Sequence, residues 1–244
     1  MCTVTIIPHE TGIRLACNRD ESRLRPAALA PRIVTAGARR AVMPIDPASA
    51  GTWIAANDRG LVMTLLNLYP HPYAPGVPPP RRSRGTIIPW LMTTATLEEA
   101  CTQAQALAVS EYSSFRLVIA DHARCVDMLS NDGALICGPL LSLDRPILFT
   151  SSGLGDGRVE PPRRALFEDV FRTRGDWRAQ QDAFHRHSWP DRREVSVCMS
   201  RPEACTVSFT SVVLNALVVQ MAYYPKAPDE PTVPVEIVLF QGSA

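Results

Sequence analysis

The sequence predicts an α+β fold: a four-layer αββα sandwich, with two mostly antiparallel sheets between two layers of helix. Three observations predict it. Strand-like segments arrive in hairpin-linked runs and not in strict alternation with helices, which disfavours a doubly wound parallel sheet. Their order along the chain is strands, two helices, strands, two helices, strands. Finally, 244 residues with no internal repeat and no linker-like stretch read as one domain, residues 1–244, and 46% apolar residues suffice for a substantial core.

Thr3 to Pro8 and Ile13 to Asn18 read as the first hairpin. The run Thr3-Val4-Thr5-Ile6-Ile7 is largely β-branched, and Gly12 supplies the turn. Trp53 to Ala56 and Leu61 to Leu66 read as a second hairpin, around Asn57-Asp58-Arg59-Gly60 as a type I turn closed by a left-handed glycine. Tyr69 to Pro80 holds six prolines in twelve residues, which makes it a loop, exposed or bordering a substrate. Ser83 to Thr93 and Thr96 to Ala108 read as helices, the second opened by a capping box of Thr96 and Glu99. Phe115 to Ala120, Cys125 to Leu129 and Ile147 to Thr150 follow as strands. Pro161 to Phe171 and Asp176 to His187 follow as helices, with Gly175 as a stop between them. Val195 to Met199, Thr206 to Leu214, Leu217 to Tyr223 and Val235 to Phe240 complete the strands.

Composition excludes several functions. Lys and Arg total 25 against 24 Asp and Glu, so no global field would hold a polyanion, and nucleic acid is not the expected partner. The longest apolar stretch, Val212 to Tyr224, contains Asn215 and Gln220 and is too short for a stable membrane span. The amino-terminal segment lacks a basic start and soon reaches His9, Glu10 and Arg14, unlike a signal peptide, so a cytoplasmic location is expected. The seven cysteines form no C-x-x-C pair and no zinc-spaced set with histidine, so reduced thiols and no metal are expected.

Cys2 differs from the other thiols by position. Removal of Met1 would give it a free α-amine, whose ordinary pKa of about 7.7–8.0 lets it serve as a base beside its own thiol. By position alone, a cysteine there is more simply incidental. The cluster Asn18-Arg19-Asp20-Glu21 is a second candidate, read either as a solvated turn or as groups that the hairpin returns to Cys2. In the second reading Asp20 holds the amine and Arg19 stabilises a thiolate or a substrate carboxylate. Other signals are weaker. His185 and His187 read as helix-end cations facing the dipole. Pro78 to Arg84 reads as a solvated loop, with an anion-binding loop as the alternative. Gly153 to Gly157 lacks the Lys-Ser/Thr ending of a phosphate loop.

Met1-Cys2-Thr3 followed by Asn18-Arg19-Asp20-Glu21 resembles the NRDE family, the homologues of Transport and Golgi organisation protein 2. The likeness continues through Gly51-Thr52-Trp53-Ile54, Asn57 to Leu61, Leu66 to Pro70, Thr150-Ser151-Ser152 and Ser196 to Met199. That family is similar to N-terminal nucleophile hydrolases of the choloylglycine hydrolase and penicillin V acylase branch. The resemblance implies the same αββα sandwich and hydrolysis of a non-peptide amide, small or lipid-like, without metal or cofactor. It implies Cys2 as nucleophile, Asp20 as the residue positioning the amine and Asn67 as an oxyanion donor, with Asn18, Arg19, Glu21 and Ser152 in support. Ser152 stands where the acylases carry a second asparagine. The acylases also carry an arginine immediately before the residue matching Asn18, where this chain has Cys17; Arg19 is expected on the other face of the strand. The late run Cys205 to Thr210 lacks an arginine common in the family. Eukaryotic members are associated with Golgi organisation, lipid handling and haem movement. The resemblance therefore also implies an alternative, a protein that binds haem or an acyl-lipid without turnover, and a third reading as a trafficking partner without ligand.

Overall fold

The computed structural model describes residues 2–69, 81–131 and 133–242. In chain order the strands are β1 (Cys2–His9), β2 (Gly12–Ser22), β3 (Leu29–Ala36), β4 (Arg39–Ile45), β5 (Ile54–Asn57), β6 (Val62–Asn67), β7 (Phe115–Ala120), β8 (Arg124–Asn131), β9 (Ala134–Cys137), β10 (Leu141–Ser142), β11 (Ile147–Thr150), β12 (Ala204–Leu214), β13 (Val218–Tyr224) and β14 (Val235–Phe240). The helices are α1 (Ile87–Leu91) and α2 (Leu97–Gln105), before β7, and α3 (Asp156–Val170) and α4 (Trp177–Arg186), before β12.

The strands form two sheets. One runs β11-β1-β2-β12-β13-β14; the other runs β10-β8-β7-β6-β5-β4-β3, with β9 also paired to β8. Every strand pairing is antiparallel. Between the sheets, Val4, Ile6 and Leu15 meet Ile54, Val62 and Val118. The outer face of the β6–β7 sheet packs Met63 and Leu117 against Ile87 and Leu91 of α1 and Ala100 of α2. The outer face of the β1–β2 sheet carries α3 and α4, with Leu148, Phe167 and Phe184 between. This is the four-layer αββα sandwich, and each fully buried Leu, Ile or Phe side chain contributes about 1.5–3 kcal/mol to holding it.

Local signals explain most elements. Thr96 accepts from the Glu99 N–H at 3.1 Å and opens α2, and Asp176 accepts from the Ala179 N–H at 3.0 Å and opens α4. The second hairpin turns on Gly60 with φ +73°, while the Asn57 side-chain oxygen accepts from the N–H groups of Arg59 and Leu61.

Two strands carry no clear signal in the sequence, and three expectations needed correction. Strands β3 and β4 carry Pro31 and Pro44, which mask their pattern. Pro31 is tolerated because β3 is an edge strand with irregular register, and Pro44 lies beyond the two β4 residues that pair with β5. The segment from Ser83 forms a 3-10 turn, Arg84–Thr86, and only a five-residue α1. Helix α3 begins at Asp156, before Pro161 and Pro162, and so runs through two residues that cannot donate to its ladder. Val195 to Met199 forms no strand. The carbonyls of Val195 and Ser196 accept from Arg163 and that of Val197 from Asn18, so they are committed to side chains. The proline-rich reading falls, beyond Tyr69, outside the described residues. Among the described residues no helix is long and apolar enough to cross a membrane.

Candidate active site

β1 starts at Cys2 and pairs with β2 along its whole length: Cys2 lies opposite Arg19, Thr3 opposite Asn18 and Val4 opposite Cys17. Alternation therefore divides the hairpin into two sets. Cys2, Val4, Cys17 and Arg19 face the second sheet, whereas Thr3, Thr5, Asn18 and Asp20 face α3 and α4. The expectation for Arg19 fails here. Positions 17 and 19 are two apart and share a face, so Arg19 lies on the same side as Cys17 and directly across from Cys2.

A cleft of about 280 Å³ opens at this end of the sandwich, and its lining includes Cys2, Arg19, Glu21, Trp53, Asn67 and Arg84. The Arg19 guanidinium lies 4.2 Å from the Trp53 ring centroid and pairs with Glu21 at 3.4 Å and Asp46 at 3.7 Å. Asn67, the last residue of β6, donates through Nδ2 to the Tyr69 hydroxyl at 3.2 Å. The Cys2 side chain is buried beside the Cys17 thiol. A hydrogen bond donated by the Cys17 S–H lowers the Cys2 thiol below its ordinary range, against the opposing effect of burial, while the Cys17 thiol is driven well above it. Cys17, in the place of an arginine, thus favours a thiolate at Cys2 without supplying charge.

Asp20 lies beneath this cleft, on the other face of the sheet. Its Oδ1 accepts from the Thr206 hydroxyl at 2.6 Å, whereas its Oδ2 is buried without a hydrogen-bond partner among the described residues. Burial raises its carboxyl above the usual range, opposed by the nearby Arg163. Arg163 of α3 is wholly buried, with Nη2 3.9 Å from Asp20 Oδ2. It donates to the Thr3 and Thr150 hydroxyls at 2.7 and 2.8 Å and to the Val195 and Ser196 carbonyls at 3.1 and 2.6 Å. Sequence reasoning missed this cation. The available signal was its place in the stripe Val159, Arg163, Phe167, four residues apart on the buried face of α3.

The supporting residues separate. Glu21 lines the cleft with Arg19. Asn18 is structural: Nδ2 donates to the carbonyls of His185 and Val197 at 2.9 and 3.0 Å, and its Oδ1 meets His185 Nδ1 at 2.9 Å. His185 Nε2 meets the Thr5 hydroxyl at 2.8 Å. Burial, aided by Arg14 and Arg163, lowers the His185 pKa to about 3, so this residue is neutral at pH 7 and not the helix-end cation expected. Ser152 does not line the cleft. Its N–H donates to Asp156 at 2.8 Å and its hydroxyl accepts from the Leu154 N–H at 3.2 Å, which shapes the entry to α3. The residue beside Cys2 is Ser151. Its N–H donates to the Cys2 carbonyl at 3.0 Å, and its buried hydroxyl has no partner among the described residues. A larger cavity of about 570 Å³, lined by His9, Arg14, Asp182 and Tyr224 among others, lies at the far end of β1 and includes no cysteine among its described lining. No cluster of three metal-ligating side chains occurs among the described residues.

Comparison with solved structures finds the same fold. An N-acylethanolamine-hydrolyzing acid amidase ortholog from Caenorhabditis elegans superposes with a TM-score of 0.60 at 12% identity, covering 94% of each chain. Two variants of the conjugated bile acid hydrolase from Clostridium perfringens give 0.50 at 11% identity, covering 100% of this chain and 97% of that one, and 0.52 at 10%, covering 97% and 92%. These likenesses are of fold. A comparison with curated proteins finds no match. The family profile of Transport and Golgi organisation 2 matches residues 1–157, well over half of the chain, and on that match the protein belongs to the Transport and Golgi organisation 2 family.

Proposed function

We propose that the protein is an N-terminal nucleophile hydrolase that cleaves a non-peptide C–N bond in a small amide. The observation that carries this reading is the pairing of two features at one strand end. Cys2 shares a cleft with Asn67, and Oδ2 of Asp20 beneath it is buried without a hydrogen bond among the described residues, its ion-pair contact with Arg163 being a long 3.9 Å. A buried acceptor without a partner costs about 1–3 kcal/mol, and an ammonium at the freed amino group of Cys2 would satisfy it.

In this mechanism Met1 is first removed, leaving the α-amine of Cys2 as base. The amine takes the thiol proton and the sulfur adds to the amide carbonyl. Asn67 Nδ2 donates to the oxyanion of the tetrahedral intermediate. The ammonium then gives its proton to the departing nitrogen, which leaves as an amine, and a thioester remains on Cys2. A water molecule, losing its proton to the α-amine, hydrolyses the thioester and restores the thiol. Asp20 holds the amine in position, and Cys17 adds a hydrogen bond to the sulfur.

The polar lining of the cleft favours a small amide over a lipid-like one, and equally disfavours the binding-only reading with haem or an acyl-lipid. Intact mass and amino-terminal sequencing test the first step, and loss of Met1 is expected. Preferential alkylation of Cys2 over the other six thiols at neutral pH, and amide hydrolysis that vanishes in Cys2→Ala, test the second. Retention of Met1 on the purified full chain would sink amine-assisted catalysis. Ligand binding unaffected by Cys2→Ala, with no hydrolysis by the parent protein, would favour the carrier.

A further inference from the structure

Three guanidinium groups and two carboxylates line the Cys2 cleft: Arg19, Arg25 and Arg84 against Glu21 and Asp46, an excess of one positive charge. Arg19 and Arg25 each pair with both carboxylates. Arg84 forms no ion pair with a carboxylate among the described residues. The adjoining segment 70–80 contains no Asp or Glu at all.

Arg84 is nevertheless firmly placed. Its Nη1 donates to the Ser114 carbonyl at 2.7 Å, and the Ser83 hydroxyl accepts from the Gly85 N–H at 3.2 Å. The Gly85 carbonyl accepts from the Thr52 N–H at 2.9 Å. Gly51 and Gly85 touch so closely that a Cβ on Gly51 would collide with the Gly85 carbonyl, so the two loops are in backbone contact. Burial lowers the Arg84 pKa, opposed by its hydrogen bond with Tyr69 and the attraction of Glu21, which marks the cost of keeping this charge partly out of water. A half-buried cation with a preset direction and no carboxylate in ion-pair contact among the described residues is stabilised when an anion arrives.

We propose that Arg84 anchors an anionic group of the substrate, and that the substrate class is small amides bearing a carboxylate, of which an N-acyl amino acid is the simplest. The planar guanidinium matches a carboxylate with two parallel hydrogen bonds, and the single excess charge matches a monoanion. This proposal rests on the hydrolase reading of the same cleft.

The test is calorimetric titration of the full-length Cys2→Ser protein with N-acetylglycine and, separately, with its uncharged counterpart N-acetylglycinamide. The carboxylate is expected to bind at least about tenfold more tightly at low ionic strength, with the preference shrinking as salt rises. Arg84→Gln is expected to abolish the preference, and Arg84→Lys to keep part of it. The Arg84 Nε–H resonance of the parent Cys2→Ser protein supplies a readout that needs no substitution at Arg84. It is expected to shift with N-acetylglycine and not with the amide. Equal binding of the two probes, failure of both to bind, an unmoved Arg84 resonance, or a preference that survives in folded Arg84→Gln would overturn the proposal. Turnover by the Cys2 protein settles the other question separately. Carboxylate preference without hydrolysis keeps the anchor and removes the hydrolase. Hydrolysis of N-acetylglycinamide as fast as of N-acetylglycine keeps the hydrolase and removes the anchor.

Discussion

The two faces of the β1–β2 hairpin are built from alternate residues of the same strands, yet they differ in kind. On the cleft face, Cys2 and Arg19 line a small polar space that reaches solvent, with Cys17 buried behind them. On the helix face, Thr3, Thr5, Asn18 and Asp20 enter a closed hydrogen-bond network with Arg163, Gln181 and His185. The first face pairs Arg19 with Glu21 and Asp46 and leaves the buried hydroxyls of Ser208 and Thr210, opposite Arg19 and Cys17, without a partner among the described residues; on the second, Asp20 Oδ2 has no hydrogen bond among them. The difference teaches that a run of four polar residues need not form one site. Here Asn18 anchors the hairpin from behind and Asp20 lies beneath the strand end that carries Cys2, while Arg19 and Glu21 line the cleft.

The sharpest way to break this division is to remove its buried cation. Arg163→Met is expected to cost about 3–5 kcal/mol in urea unfolding, because Asp20 is left as an uncompensated buried charge and four oxygens lose their donor. A loss below about 1 kcal/mol would show that the network does not hold the hairpin. On the cleft face the effects should fall on rate instead. Asn67→Ala is expected to lower kcat about 10²–10³-fold, with little change in stability since its side chain is only partly buried. An unchanged kcat would remove Asn67 from the oxyanion role.

Acidity separates the faces in a third way. The His185 pKa is about 3 in the folded chain and about 6.5 in the unfolded one, so between these values only the unfolded chain holds the proton. Stability from this group is complete above the unfolded value and is lost as pH falls toward the folded one. Between pH 7 and about 4.5 the expected loss is roughly 2–3 kcal/mol, measured by denaturant titration at each pH, and His185→Gln should flatten that slope. The smallest expected effect is at Cys17. Cys17→Ala should raise the apparent pKa of Cys2 alkylation and slow the reaction a few-fold at neutral pH, since one weak hydrogen bond to the thiolate is lost. An unmoved pH profile would leave Cys17 as packing only.

How far the sequence could be read follows from the same contrast. The hairpin, the second turn at Gly60 and the helix opened by Asp176 were legible because their signals are local: alternation, a left-handed glycine and a cap. Cys2 and Asn67 line one cleft because each stands at the end of a strand that local signals place, and Arg19 joins them because it lies directly across from Cys2. Ser152 lies one position beyond the residue paired with Cys2: it is the Ser151 N–H that donates to the Cys2 carbonyl, and one residue changes the face. In the sequence Arg84 reads only as the end of a proline-arginine run, with anion binding as the alternative, and Arg163 is not read at all. Which carboxylates lie near them in space is encoded by no spacing along the chain.

Gly12, at the opposite end of the hairpin from Cys2, packs so closely on the Leu214 backbone that no larger residue fits there without displacement. The turn it closes starts a count in which His9 meets Gly12, Pro8 meets Ile13 and, step by step, Cys2 meets Arg19. The aim of the thiol is therefore a matter of parity. One residue added to β1 would leave the chemistry of every side chain intact but turn the sulfur away from Asn67 and toward α3. The Cys2 sulfur takes its direction from a turn at the far edge of the sheet, and the opening strand acts as a measured arm.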